Sequence, residues 1–141
     1  MWTISATAHT LATPARVWAI YCDVAHWSRW DYGLAKYQPD GPFVTGTSGI
    51  LQPVEGPELP FTLILVEEGR SFVDRTPIGP DHAIIGRHEL TPSATGTQIT
   101  HTIEIVGLDA EQLAQEMGFK QTELYETVSN LARYAEEDRQ D

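Results

Sequence analysis

The chain has a single cysteine, Cys22, among its 141 residues. An internal disulfide and a cysteine-based zinc site are therefore excluded. No apolar run approaches the about 18 residues that a membrane-spanning helix needs. Basic side chains are scarce, nine Lys and Arg against twenty Asp and Glu, which gives a formal charge of −11. Such a field repels phosphate backbones and anionic lipid, so neither nucleic acid nor a membrane surface is an expected partner. There is no nucleotide fingerprint and no zinc-protease motif, and Gly46-Thr47-Ser48-Gly49 lacks the spacing of a phosphate loop or nucleophile elbow. No metal or cofactor is expected. Met1 leads directly into strand-like Trp2-Thr3-Ile4-Ser5-Ala6 without a basic leader, which makes the cytoplasm the expected location.

What is present suffices for one domain, 1–141, because a hydrophobic fraction of 41% can build a real core or enclose a modest cavity. Its oligomeric state stays open, a homodimer included. Cys22 lies within an apolar helical pattern and is expected as a small core residue.

The strongest periodicity lies near the end of the chain. Asp109 is placed to cap a helix, with Gln112 closing a capping box and Leu108 and Leu113 forming a hydrophobic staple. Leu113, Met117, Leu124, Val128, Leu131 and Ala135 then share one face at helical spacing, and the helix is expected from Asp109 to Glu137. Gly118 interrupts it at a cost of roughly 1 kcal/mol relative to alanine. Phe119 would face solvent on a straight helix, so a kink or break near Gly118 is expected. Lys120 flanks the stripe, its stem free to lie along the core. The closing run Glu136 to Asp141 reads as a solvated, fraying end.

Upstream, Trp2, Ile4, Ala6 and Ala8 alternate with polar residues as a half-buried strand. Thr13-Pro14 opens a helix as N-cap and first helical residue. Asp23 is placed to cap a second short helix over Ala25–Trp30. Strands are expected at 35–38, 47–52, 60–66, 72–76, 83–91 and 97–106. The last pair is joined by Pro92-Ser93-Ala94-Thr95-Gly96. Strand, two helices, about six strands and a final helix argue for an α+β domain, its antiparallel sheet curled around that helix.

The 83–106 hairpin carries the sharpest chemical signal. Ile99, Ile103 and Ile105 alternate with polar residues, so His101 shares their buried face. Pairing Leu90 with Ile99 would set His88 opposite His101 and Ile84 opposite Ile105, with facing Cβ atoms about 5 Å apart. The two histidines are open to three readings. They can be satisfied core groups, an acid/base or ligand-contacting pair kept partly neutral by desolvation, or metal ligands together with His82. No carboxylate is clearly placed to complete a coordination shell. Trp27, Trp30 and Tyr32 cluster where the short helices meet the sheet, at the rim of an apolar pocket or the cap of a core. The facing of Asp74 and Arg75 is left open by the loop at 77–81.

Pro14-Ala15-Arg16-Val17-Trp18 with Asp23, Trp27 and Trp30 resembles the opening of the polyketide cyclase/dehydrase-like branch of the START-related (SRPBCC) superfamily. So do His88-Glu89-Leu90-Thr91-Pro92, Gly96-Thr97-Gln98-Ile99-Thr100-His101 and Val106-Gly107 resemble that branch's last hairpin. The resemblance implies a helix-grip fold with a ligand cavity between sheet and helix, and it supplies no shared catalytic residue. Three functions follow as expectations. One is a binder of a small apolar, aromatic or polyketide-like molecule, lined by Trp30, Tyr32, Ile84, Ile103, Met117, Leu124 and Val128. Another is a cyclase or dehydratase using His88 and His101 as catalytic residues. The third is a protein-interaction module with a closed interior.

Overall fold

A computed structural model describes residues 1–137 of the chain. Seven strands form one antiparallel sheet: β1 (Trp2–Thr10), β2 (Leu34–Pro39), β3 (Ser48–Pro53), β4 (Leu59–Glu67), β5 (Ser71–Ile78), β6 (His82–Ser93) and β7 (Gly96–Val106). Their spatial order is β1-β7-β6-β5-β4-β3-β2, a meander whose only non-sequential neighbours are β1 and β7. Between β1 and β2 lie α1 (Pro14–Cys22) and a 3₁₀ turn (Val24–Arg29), and after β7 come α2 (Ala110–Met117) and α3 (Gln121–Glu136).

Local chemistry explains most boundaries. Thr13 accepts the Arg16 N–H at 3.1 Å and Pro14 starts α1, as the sequence pattern demands. Asp23 makes no side-chain cap; its carboxylate instead accepts from His26 Nδ1 at 2.8 Å. Cys22 is exposed, contrary to the core position expected of it. The helix ends there, and the core is filled by Trp27, whose indole N–H donates to the Tyr21 carbonyl at 3.0 Å. In the β6–β7 hairpin pairing runs on to Ser93↔Gly96, so only Ala94 and Thr95 form the turn.

The expected single C-terminal helix is two. Gly118 adopts φ +78° as the C-cap of α2, a conformation that costs glycine little, and Lys120 is extended before α3 begins. Lys120 is thus exposed in the break rather than laid along the stripe. Phe119 turns inward, its ring 6.0 Å from that of Trp2. Asp109 stands at the N-cap position but with φ +57° and no side-chain cap bond, so the capping box does not form. That left-handed entry also throws Leu108 outward, 81% exposed, and the staple is lost with it.

Leu124, Val128, Leu131, Ala132, Tyr134 and Ala135 of α3 pack into one core with Ala6, Phe72, Leu90 and Ile99 of the sheet. α2 covers a smaller patch made by Ile105, Ile84 and Trp2. The end of α3 is clasped to the exit of β1. Glu136 accepts the Leu11 N–H at 2.7 Å, and Thr10 Oγ1 donates to the Ala132 carbonyl at 2.9 Å. Glu136 is therefore an anchor and not part of a fraying end; Asp138–Asp141 lie outside the described residues.

Candidate functional site on the concave face

The register of β6 and β7 sets His88 directly opposite His101, and Ile84 opposite Ile105, as the parity of the hairpin requires. The imidazoles meet edge to face, their centroids 4.6 Å apart. His88 lies flat on Phe72, centroids 3.9 Å apart and planes 7° off parallel. Its Nδ1 donates to the Phe72 carbonyl at 3.2 Å, which fixes the neutral ring with its lone pair on Nε2. His101 Nε2 is 2.8 Å from the Tyr21 hydroxyl, contributed by α1.

Beside this pair stands a carboxylate that the strand pattern left unassigned. Asp74 pairs with Gly86 across β5 and β6, on the face shared by Phe72 and His88. Arg75 points the other way and is exposed. The Tyr37 hydroxyl, from β2, donates to Asp74 Oδ2 at 2.9 Å. Gly86 makes this arrangement sterically feasible, because a Cβ there would lie 2.6 Å from Asp74 Oδ1. Tyr21, Tyr37 and Gly86 are thus site residues that the sequence pattern did not single out, and Asp74, whose facing it left open, joins them. The row Phe72, Asp74, Thr76 held a signal: an inward Phe72 carries Asp74 inward with it.

Burial governs the electrostatics. It pushes His101 well below the ordinary imidazole range, with His88 adding in the same direction. Burial also lowers His88, although the Asp74 charge and the Phe72 carbonyl oppose it. The Asp74 carboxyl is raised by burial, against the pull of His88, Tyr37 and backbone N–H groups. Tyr21 is raised by burial, and Tyr37 by burial and then by Asp74. Asp31, at the end of the 3₁₀ turn, is pushed up to about 6 by burial.

The rings of Trp18, Tyr21, Trp27, Trp30, Phe61 and Phe72 fill most of the space above the sheet, each buried. At the centre of the concave face, however, Asp74, Gly86, His88 and Ile103 are only half-buried. Phe72, at 0% exposure, and His101, at 4%, lie beside them without such access. The Trp30 indole N–H is buried with no hydrogen-bond partner among the described residues.

Other residues of the expected lining are distributed differently. Ile103 is on the concave face, and Leu124, Val128 and Trp30 are buried in the core around it. Ile84 sits under α2. Tyr32 is 67% exposed, because the turn after Trp30 projects it outward, and Met117 is 40% exposed. The break at Gly118 separates α2 from the phase of α3, and α2 buries Ala110 and Ala114 instead of Met117. His82 Nε2 donates to the Leu108 carbonyl at 2.7 Å, a structural contact remote from the histidine pair. A groove of about 590 Å³ runs outside the grip, between the β1 edge at Ser5–Thr7 and Gln121–Glu126 of α3.

A curled antiparallel sheet closing on a C-terminal helix, over a floor of aromatic and titratable side chains, defines a helix-grip protein of the START-related (SRPBCC) class. The chain belongs to the family described as polyketide cyclase / dehydrase and lipid transport, whose model matches residues 1–136. No curated protein sequence matches it. Among solved structures, protein MLL2253 from Mesorhizobium loti is similar with a TM-score of 0.73 at 15% identity, over 94% of this chain and 95% of that one. A Thalictrum flavum norcoclaurine synthase point mutant, in complex with a transition-state analogue, aligns with a TM-score of 0.70 at 15% identity, over 95% and 93%. Ara h 8.0201 aligns with a TM-score of 0.70 at 11% identity, over 95% and 97%. At these identities the likeness is one of fold. No helix of the described residues is long and apolar enough to cross a membrane.

Proposed function

We propose that the protein binds a small, largely apolar aromatic molecule against the concave face, with its polar end at Asp74 and His88. The observation that carries this reading is the half-buried patch of Asp74, Gly86, His88 and Ile103 within an otherwise close-packed aromatic interior. Apolar walls with a few convergent polar groups are what such a ligand requires. Native mass spectrometry of the purified protein tests it. A co-purifying small molecule, lost from a His88→Trp variant that fills the patch, is the expected result. An apo protein whose tryptophan fluorescence ignores every aromatic titrant would overturn it.

A second reading, acid/base catalysis of a cyclisation or dehydration, is favoured by one specific feature. The Phe72 carbonyl fixes the His88 tautomer, so Nε2 is available to take a proton. Under this reading His88→Gln and His101→Gln abolish turnover while ligand still binds; a pure carrier changes only modestly in affinity.

A further inference from the structure

We propose that the free edge of β1 takes up an extended, lysine- or arginine-bearing segment of another protein as an added strand, seated between that edge and α3. This surface lies outside the grip and is independent of any ligand on the concave face.

The sheet ends at β2 on one side and at β1 on the other. An open edge invites pairing with a second chain, and proteins blunt it with charge, proline or a bulge. The six residues of β2 carry all three: Lys36, Pro39 and a register shift between Leu34 and Lys36. β1 has none of them. Its nine residues hold no proline and no Asp, Glu, Lys or Arg, and they pair with β7 without a shift of register.

Two contacts show which backbone groups of β1 face outward. The Ser5 carbonyl accepts from Gln121 Nε2 at 2.8 Å, and beyond the strand the Leu11 N–H donates to Glu136 Oε2 at 2.7 Å. In an antiparallel ladder successive residues turn their N–H and C=O to opposite sides. Thr7 and His9 share the parity of Ser5 and Leu11, so theirs also point away from β7. Among the described residues no protein group bonds to them there. α3 runs alongside, tied to the edge by Gln121 and Glu136. Beyond the first tie it stands off, and the gap is the groove of about 590 Å³ at Ser5–Thr7.

Main-chain bonds from Thr7 and His9 would hold any extended chain, which leaves selection to the side chains. Glu126 puts a carboxylate on the groove wall, and no basic side chain lines it. Tyr125 beside it is 54% exposed and offers a ring face to a cation. The formal charge of −11 draws a basic segment in and repels an acidic one. The same charge opposes a second copy, since β1 on β1 would carry each Glu126 towards its mate.

Amide exchange and peptide titration followed by NMR test the proposal. In the free protein the Thr7 and His9 amides should exchange faster than those of Ala6 and Ala8, which bond to β7. Equal protection would show the edge to be covered and overturn the proposal. An acetylated peptide of alternating threonine and lysine, about eight residues long, suits the edge. It should slow exchange at Thr7 and His9 and bind at least about tenfold more tightly than its threonine–glutamate counterpart. Methylating every peptide nitrogen keeps the charge and removes the donors, and should cost at least about tenfold. Thr7→Pro removes an outward N–H and spares the ladder to β7, so it should lose the lysine peptide. Should that variant fail to fold, Glu126→Lys, at an exposed helical position, is expected to abolish the preference for lysine over glutamate. Undiminished binding of the methylated peptide means charge alone and overturns the added strand. Equal affinity for the two charged peptides overturns the basic partner, and binding of neither overturns the whole. A dimer of the protein that Thr7→Pro dissociates would assign the edge to a second copy and overturn it as well.

Discussion

At position 86 one missing methyl group decides where a carboxylate can lie. Gly86→Ala would set a Cβ 2.6 Å from Asp74 Oδ1, and the Tyr37 bond holds the side chain against swinging away. A loss of about 1–3 kcal/mol is expected, the usual range for overpacking. Urea denaturation measures it, and most of the loss should vanish in an Asp74→Ala background, where the clash has no partner. An undiminished penalty there would place the strain in the backbone. The histidines predict a pH dependence. His101 is held well below its ordinary value by burial and then by His88. The fold keeps it neutral, whereas the unfolded chain takes up the proton near about pH 6.5. Its contribution to stability is therefore complete above that value and is lost as pH falls, at up to about 1.4 kcal/mol per pH unit. The stability advantage of wild type over His101→Gln should shrink from about pH 7 to about pH 5; an unchanged difference would show that His101 titrates normally in the fold. The His88–His101 pair was legible because an uninterrupted hairpin has a period of two and a short turn to fix its register. Asp74 was harder to read because the loop at 77–81 that follows β5 allows more than one register. The irregularity between Leu63 and Leu65 in its neighbour β4 removes the cross-check.

The C-terminal elements show what a hydrophobic stripe can and cannot say. The three- and four-residue spacing of Leu124, Val128 and Leu131 identified the buried face of α3 correctly. Extending that stripe back to Met117 failed because a break resets the phase, and Gly118 marks only its place. The entry at Asp109 failed for a related reason: a left-handed φ of +57° at a non-glycine residue has no sequence pattern to announce it. Two variants follow. Gly118→Ala must adopt φ +78°, and should cost about 1 kcal/mol in thermal or urea unfolding; a stabilised variant would mean that α2 and α3 can merge. The N-cap position of α3 is held by Lys120, which offers no side-chain acceptor to the first-turn N–H groups. Lys120→Asp supplies that acceptor and places a negative charge at the positive end of the helix dipole, for a gain of about 0.5–2 kcal/mol. A lower melting temperature would contradict it. Leu124→Ala, deep in the grip at 8% exposure, is expected to lose about 2–5 kcal/mol.

Over the whole molecule, element order alone carried most of the fold. A strand followed by helices, then a run of strands and a terminal helix, leaves a curled antiparallel meander as the economical way to cover an amphipathic helix. Whether the interior would be open or filled was not legible, because that depends on how the rings of Trp18, Trp27, Trp30 and Phe72 stack rather than on their identity as aromatics. Net charge acts on the same scale, and it predicts a salt effect on stability. At a formal −11 the folded chain repels itself, while the solvent-facing Lys36–Glu58 and partly buried Arg87–Glu104 pairs contribute about 1 kcal/mol each. Screening removes the repulsion first, so the melting temperature should rise from about 10 mM to about 150 mM salt, as the Debye length falls from about 30 to about 8 Å. Thermal melts in matched buffers measure it. A melting temperature that fell over that range would show that a few local ion pairs, and not the charge of the whole molecule, govern its electrostatics.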